Sequence, residues 1–411
     1  MAATKRIAYP VANGSIQVQN ANADVHFAFQ GGYGLSNVGD TYDNVWNYCP
    51  LACTINTLRV DLDTAVLAGS VTMTLVKNGV DTALTVTITS GKTATDSSHP
   101  ITFAAGDEWA YHWVSSAGAT AVAPLGYGAV VTGTNAGEFP GGGNGSTLAN
   151  TNSATRRYLS IFTPYNGTAT IADAQTWVPV ACTITKFYTR IVNAVDDIYI
   201  SLYKNAAEVA ASIITILSGN EVGNKTGLSI ALAVGDRICF SHLDALDDTV
   251  DSHNTRHSVC MVADTDGESW FAGHTTDDLI NNGTTEYIQP NCPAVWRTGI
   301  RNIHWPDAVT LSKFRMDLTG SPGAGNSYTF TTRKNGASGN EVVAISETAV
   351  TGTDATNTDV YAAGDSMNLM SLSASTPTIR DAFWAWKMTT TPVDMPVASS
   401  VRLLTLMGVG T

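Results

Sequence analysis

The sequence predicts an all-β protein made of three tandem copies of one antiparallel β-sandwich domain. Three observations carry that expectation. Charged residues are only 14% of the 411 residues, against roughly 25% in an ordinary soluble protein. Helical proteins place Glu, Lys and Arg on exposed helix faces, where those side chains lose little rotamer freedom. Here Thr, Ser, Asn, Gly and Ala stand in for them, and Thr and Val favour strands. The apolar fraction stays at an ordinary 44%, which disfavours disorder and is enough for several cores. Most informative of all, three short markers recur in one fixed order, and a long internal period is a direct signature of repeated domains.

The first marker is Thr54-Ile55-Asn56-Thr57-Leu58, which returns as Thr183-Ile184-Thr185-Lys186-Phe187 and Thr310-Leu311-Ser312-Lys313-Phe314. The second, Leu75-Val76-Lys77-Asn78-Gly79, returns as Leu202-Tyr203-Lys204-Asn205-Ala206 and Thr332-Arg333-Lys334-Asn335-Gly336. The third, Ala105-Gly106-Asp107, returns as Val234-Gly235-Asp236 and Ala363-Gly364-Asp365. All repeat at 127 to 130 residues, a common domain size.

Within each copy the strands follow in order. After the first marker, Leu58, Val60 and Leu62 alternate with polar residues, as do Phe187, Thr189 and Ile191, then Phe314, Met316 and Leu318. Period-two alternation is a strand with one face on a core. Val71–Val76 leads into Lys77-Asn78-Gly79, and Asn-Gly is a strong hairpin turn. Leu84–Ile88 is the return strand. The Gly-Asp marker then reverses the chain, glycine supplying positive φ. It launches a strand carrying Trp109, Tyr111 and Trp113, with Ile238, Phe240 and His242, then Met367, Leu369 and Ser371, in the later copies. No segment reads as a long amphipathic helix. The expected division is an N-terminal arm over 1–23, repeats over 24–140, 155–280 and 281–411, and a Gly/Ser/Asn-rich linker over 141–154. Val401–Met407 reads as a closing strand.

The layout of strand, Lys-Asn-Gly turn, strand, polar loop, Ala-Gly-Asp turn and strand is clearest from Ile198-Tyr199-Ile200-Ser201-Leu202-Tyr203-Lys204-Asn205 to Leu232–Ile238. It resembles jelly-roll domains of tailed-bacteriophage structural proteins, themselves similar in layout to the C1q and tumour-necrosis-factor jelly rolls. The resemblance covers most of each copy and rests on turn and strand chemistry. It implies a virion protein that works by its surfaces, with no functional residues to carry over. Because C1q-like jelly rolls usually assemble as trimers, three copies in one chain lead us to expect a single-chain pseudo-trimer; a string of independent beads is the other arrangement.

Enzyme chemistry is not expected. There is no G-x-S-x-G elbow, H-E-x-x-H motif or phosphate loop. The net charge of −13 has no Lys/Arg cluster, which disfavours nucleic acid. No run of about 18 apolar residues offers a membrane span, and the stretch Met1–Pro10 lacks the apolar core of a signal peptide. Six cysteines (Cys49, Cys53, Cys182, Cys239, Cys260 and Cys292) lack zinc spacing and read as buried thiols. Disulfides Cys49–Cys53 and Cys239–Cys260 stay open. His253 and His257 lie in what reads as a polar loop. No cofactor or metal is expected; Asp244, Asp247, Asp248 and Asp251 are the one calcium candidate, though a solvated acidic loop explains them as well. Most tryptophans fall at alternating strand positions and read as core. Trp384 and Trp386 share one strand face and are surface-contact candidates if that face is open.

The expected function is therefore that of a non-enzymatic bacteriophage virion protein, made in the host cytoplasm and placed on the outer surface as a capsid decoration (cement or head-spike) protein. Its partners would be the major capsid protein or other virion proteins, with Lys5, Arg6, Ile7 and Tyr9 of the arm as docking residues. The alternative is a tail-associated receptor-binding protein recognising host surface glycan, which the absence of a heptad stalk disfavours.

Overall fold

A computed structural model describes residues 6–12, 23–29, 45–119, 121–122, 124–149, 156–162, 168, 170–192, 197–244, 252–275, 280, 283–290, 296–300 and 302–390. Among them, the only helical elements are two single 3₁₀ turns, and everything else regular is antiparallel strand. The first sandwich is formed by β1 (Arg6–Ala12), β2 (Asp24–Ala28), β3 (Asn47–Tyr48), β4 (Cys53–Val66), β5 (Val71–Lys77), β6 (Val80–Ile88), β7 (Gly91–Asp96), β8 (Ile101–Phe103), β9 (Glu108–Ser115) and β10 (Pro124–Gly133). Its two sheets run β1-β10-β4-β7 and β2-β9-β5-β6.

The second sandwich repeats the plan with β11 (Glu138–Ala149), β12 (Arg157–Leu159), β13 (Thr176–Trp177), β14 (Cys182–Val192), β15 (Ile198–Lys204), β16 (Ala207–Glu208), β17 (Ile214–Ile216), β18 (Val222–Leu232), β19 (Arg237–Asp244) and β20 (Ser252–Ala263). Its sheets run β11-β20-β14-β18 and β12-β19-β15-β16. The third comprises β21 (Glu268–His274), β22 (Thr285–Ile288), β23 (Ile303–His304), β24 (Val309–Leu318), β25 (Gly323–Lys334), β26 (Ala337–Glu347), β27 (Thr351–Tyr361), β28 (Ser366–Ala374) and β29 (Ala382–Thr389), in sheets β21-β29-β24-β27 and β22-β28-β25-β26. In all three the first strand pairs the last and the second pairs the last but one, the nested pairing of a jelly roll.

The markers recur because they build the same joints. The first is a β-bulge: the ladder skips Asn56 between Thr57 and Ile55, and skips Thr185 between Ile184 and Lys186. In the third copy the ladder shifts at Lys313, whose φ is +55°. The second and third markers bond to each other. Asn78 donates to the Asp107 carboxylate (3.0 Å), Asn205 to Asp236 (2.7 Å) and Asn335 to Asp365 (2.7 Å). The lysine before each asparagine pairs with the same aspartate at 3.0, 2.8 and 2.9 Å. These donors hold all three carboxyls below the usual range, Asp365 at about 2. A hairpin tip is thereby clasped to the turn that starts the next core strand.

The core lies between the sheets. Leu58, Val60 and Leu62 face Trp109, Tyr111 and Trp113, and all six are buried. Buried apolar residues of the three sandwiches form one continuous cluster.

Several expectations change. The stretch expected as a linker over 141–154 is largely strand β11, paired with β20 over Glu138–Ala149. Its glycines suit that place: a Cβ on Gly141 would collide with the Met261 side chain. Part of the expected arm is strand β1, paired with β10, so the backbone of Arg6, Ile7 and Tyr9 belongs to the first sandwich; Lys5 lies outside the described residues. The described sandwiches accordingly span 6–133, 138–263 and 268–389, joined by four-residue turns at 134–137 and 264–267. His253 and His257 stand on strand β20, not in a loop. Trp384 and Trp386 are not surface residues. They are 2% and 0% exposed, Trp384 packing on Trp296 and Trp386 stacking between Phe271 and Phe314. Cys49, Cys53, Cys182, Cys239 and Cys260 are free and buried, the Cys49 and Cys53 sulfurs 3.6 Å apart. Cys292, Asp247, Asp248, Asp251 and Val401–Met407 lie outside the described residues, as does the side chain of Asp244.

Candidate functional site

The sandwiches meet through one structural position used three times. Tyr48, Trp177 and His304 each precede the first marker's threonine by six residues, each followed two residues later by a proline (Pro50, Pro179 and Pro306). They sit on the short strands β3, β13 and β23 beside the last but one strand of their own sandwich. Proline cannot donate to a ladder, and each chain segment leaves the sheet there. The aromatic ring then reaches the outer face of a neighbouring sandwich.

Its landing site is also shared: the fifth and seventh residues after the same threonine, on β4, β14 and β24. In the first contact Tyr48 packs on Tyr188, ring centroids 5.6 Å apart. Arg190 lies over the Trp46 ring at 4.0 Å. Asn47, fully buried, donates to the His257 carbonyl (3.1 Å), and the Ser258 hydroxyl donates to the Tyr48 carbonyl (2.7 Å). Burial holds the His257 imidazole at about 3, so it is neutral at neutral pH.

In the second contact the Arg315 guanidinium stands 5.2 Å from the Trp177 ring centroid. Arg237 reaches across from the second sandwich to Asp317 at 3.1 Å, and Asp317 also accepts from Arg315 at 2.9 Å. Thr176, Trp177, Arg315, Asp317, Phe383 and Trp384 line a small cleft between the two. In the third contact His304 approaches Asp61 at 3.5 Å, while Arg59 holds Asp61 through two bonds of 3.0 and 2.9 Å. The Gly364 turn lies against Arg59, where a Cβ would stand 3.4 Å from its Nη1. Burial lowers the His304 pKa, assisted by Arg59 and opposed by Asp61.

Contacts therefore run from the first sandwich to the second, the second to the third and the third to the first. The turns between sandwiches also touch: Gly137 donates to Asp266 at 3.0 Å, and Ala263 donates to the Gly137 carbonyl at 2.9 Å. Charge makes the contacts different from one another. Burial raises the Tyr48 pKa, and the charges of Glu108 and Arg190 both act on its hydroxyl in opposite senses. At the second contact the signs are exchanged, with Arg237 against Asp317. A first sandwich set on the third's landing site would bring Glu108 toward Asp317, like against like. A double-mutant cycle of Arg237→Met and Asp317→Asn, read by urea melts, is expected to give a coupling of about 1 kcal/mol, modest because Arg237 is one-third exposed.

Sequence reasoning missed this position. Its residues are Tyr, Trp and His in the three copies, so no identity repeats; the shared proline two residues on was the available signal. Among the described residues no helix is long and apolar enough to cross a membrane.

No protein-family model matches the chain, and no curated protein is similar to it in sequence. Among solved structures, one whose title reads "Structure of infectious bursal disease virus Gx strain" is 8% identical over 95% of this chain and 81% of its own, with a TM-score of 0.18.

Proposed function

We propose that this chain is a non-enzymatic structural protein of a bacteriophage virion, a capsid decoration protein whose three sandwiches close a ring about a pseudo-threefold axis. The observation that carries the reading is the repeated contact. One aromatic position meets one landing site in the order first to second, second to third and third to first. A head-to-tail contact that returns to its starting unit closes a ring instead of growing a filament. Such a ring offers three related outward faces and fits a threefold or quasi-threefold position on a capsid. Its partner there is the major capsid protein or a neighbouring virion protein, bound by shape, hydrogen bonds and apolar contact. The resemblance of the repeat to tailed-phage jelly rolls supports the virion assignment.

The test is the copy number and location of the chain in purified particles, by cryo-electron microscopy with a quantitative protein gel. Hundreds of copies spread over the head are the expected result. A handful at the tail overturns decoration in favour of a receptor-binding protein for host glycan. Absence from the particle removes the virion assignment altogether.

A further inference from the structure

We propose that the outer face of the first sandwich is a transition-metal site in which His26, His112 and Asp24 are the ligands and Asp81 orients His112, with Zn²⁺ as the best-fitting occupant. The backbone sets the arrangement. β2 and β9 are antiparallel neighbours, and His26 stands directly opposite His112 in their register. Directly opposed residues carry their Cβ atoms about 4.5–5.5 Å apart on one face. That face is the outer one. The alternate residues Val25, Tyr111 and Trp113 are buried in the core, and Phe27 packs on Trp113 and Tyr127. The two imidazoles are parallel within 4°, with centroids 4.4 Å apart.

Both nitrogens of His112 already face carboxylates. Nδ1 is 2.8 Å from Asp81, on β6, and Nε2 is 2.8 Å from Asp24, on β2. A histidine that ligates a metal commonly gives its other N–H to a carboxylate, which fixes the tautomer and strengthens the ligand. Asp81 fills that second role and leaves Nε2 directed at Asp24. One ligand atom from each of Asp24, His26 and His112 lies within 4.8 Å of the others. Ligands on a tetrahedral zinc stand about 3.3 Å apart, and the in-plane lone pairs of two parallel stacked rings do not converge. Binding therefore requires the His26 ring to turn out of its stack on His112 and the nitrogens to close by up to about 1.5 Å. Asp24, already 2.8 Å from His112 Nε2 and 73% exposed on the edge strand of its sheet, can shift to admit the ion.

The donor set selects the ion. Two imidazoles and one carboxylate with a position left for water suit zinc and its first-row neighbours. Calcium and magnesium prefer oxygen alone. The equivalent cross-strand pairs elsewhere are Tyr158 opposite Ser241 and Tyr287 opposite Met370, neither a metal pair. The described residues thus hold one such site per chain.

The test is calorimetric titration of the full chain, stripped with chelator, against ZnCl₂ and separately CaCl₂, with CoCl₂ as a visible-absorption probe. The expected result is one Zn²⁺ per chain, a melting temperature raised by several degrees, cobalt d–d bands of a tetrahedral site, and no calcium heat. His26→Gln and His112→Gln should each abolish the bands. Asp81→Asn should weaken binding about tenfold or more. His99→Gln, whose imidazole pairs only with the Ser98–Asp96 side, should change nothing. Circular dichroism of each variant separates loss of the site from loss of the fold. No zinc binding, or zinc binding indifferent to His26 and His112, overturns the proposal.

Discussion

Trp386→Ala should destabilise the third sandwich by about 3–5 kcal/mol, the range for emptying a buried tryptophan site. The ring is fully buried and stacked on two partners, Phe271 at 4.9 Å and Phe314 at 4.6 Å. Those partners lie on β21 and β24, the strands on either side of β29, so the indole ties three strands together. Phe271 in turn meets Trp305 edge-on at 5.6 Å, and few neighbours are free to collapse into the space. Trp386→Phe is the informative companion. The indole N–H has no hydrogen-bond partner among the described residues, so phenylalanine loses volume while removing an unsatisfied buried donor. It should cost well under half as much as alanine. Urea melts followed by tryptophan fluorescence and far-ultraviolet circular dichroism measure both. A cost below about 1 kcal/mol for Trp386→Ala would mean that the side chain is not in the core.

Glu341→Gln should instead stabilise the protein, by about 2–3 kcal/mol at pH 7, with the gain vanishing near pH 4. Glu341 is fully buried on β26. Burial raises its pKa to about 9, the nearby Asp359 adds to the rise, and the Phe314 backbone N–H offsets part of it. Asp359 is itself tied down by the Thr332 hydroxyl and by the Asn340 backbone N–H at 2.7 Å. The folded pKa thus lies above the unfolded one. The favourable contribution is complete below the unfolded value, near 4.5, and drains away as pH climbs toward 9. Native stability should therefore fall across that window, and the glutamine variant should flatten the fall. Urea midpoints at pH 4.5, 7 and 9 decide it. A variant less stable than the parent at pH 7 would show an ionised, well-partnered carboxylate.

Much of the fold was legible because the markers are joints with strict chemistry. The Asn-Gly tip needs two consecutive residues of positive φ, +49° and +75° at Asn78 and Gly79, and the Gly-Asp turn needs the lysine and asparagine that clasp it. Such requirements leave the lysine, asparagine, glycine and aspartate of these joints in all three copies, except that Ala206 takes the positive φ (+64°) where the other two tips have glycine. The first strand of each sandwich was not legible. It pairs with the last strand more than a hundred residues away, and in the second copy it carries a glycine run that otherwise signals a linker, of which Gly141 is held by close packing on Met261 and Phe162. The orientation of Phe383–Trp386 was hidden for a different reason. Both faces of β29 are covered, one by the core and the other beside Trp177 of the second sandwich, so alternation has no exposed side to mark. The His26–His112 pair was invisible because register across 86 residues is not written in either strand alone.

The two short turns that join the sandwiches, 134–137 and 264–267, have a consequence for how the protein can change. In an assembly of identical subunits every substitution appears at every copy of an interface, so a harmful one is felt everywhere at once. Joined in one chain, each sandwich meets its neighbours at the high effective concentration of a short tether, and each contact can be modest. A substitution is then felt once. Private residues accumulate, such as an imidazole pair on one lobe, a tyrosine at one seam and a histidine at another. The covalent join thereby turns three copies of one surface into three independently tunable ones.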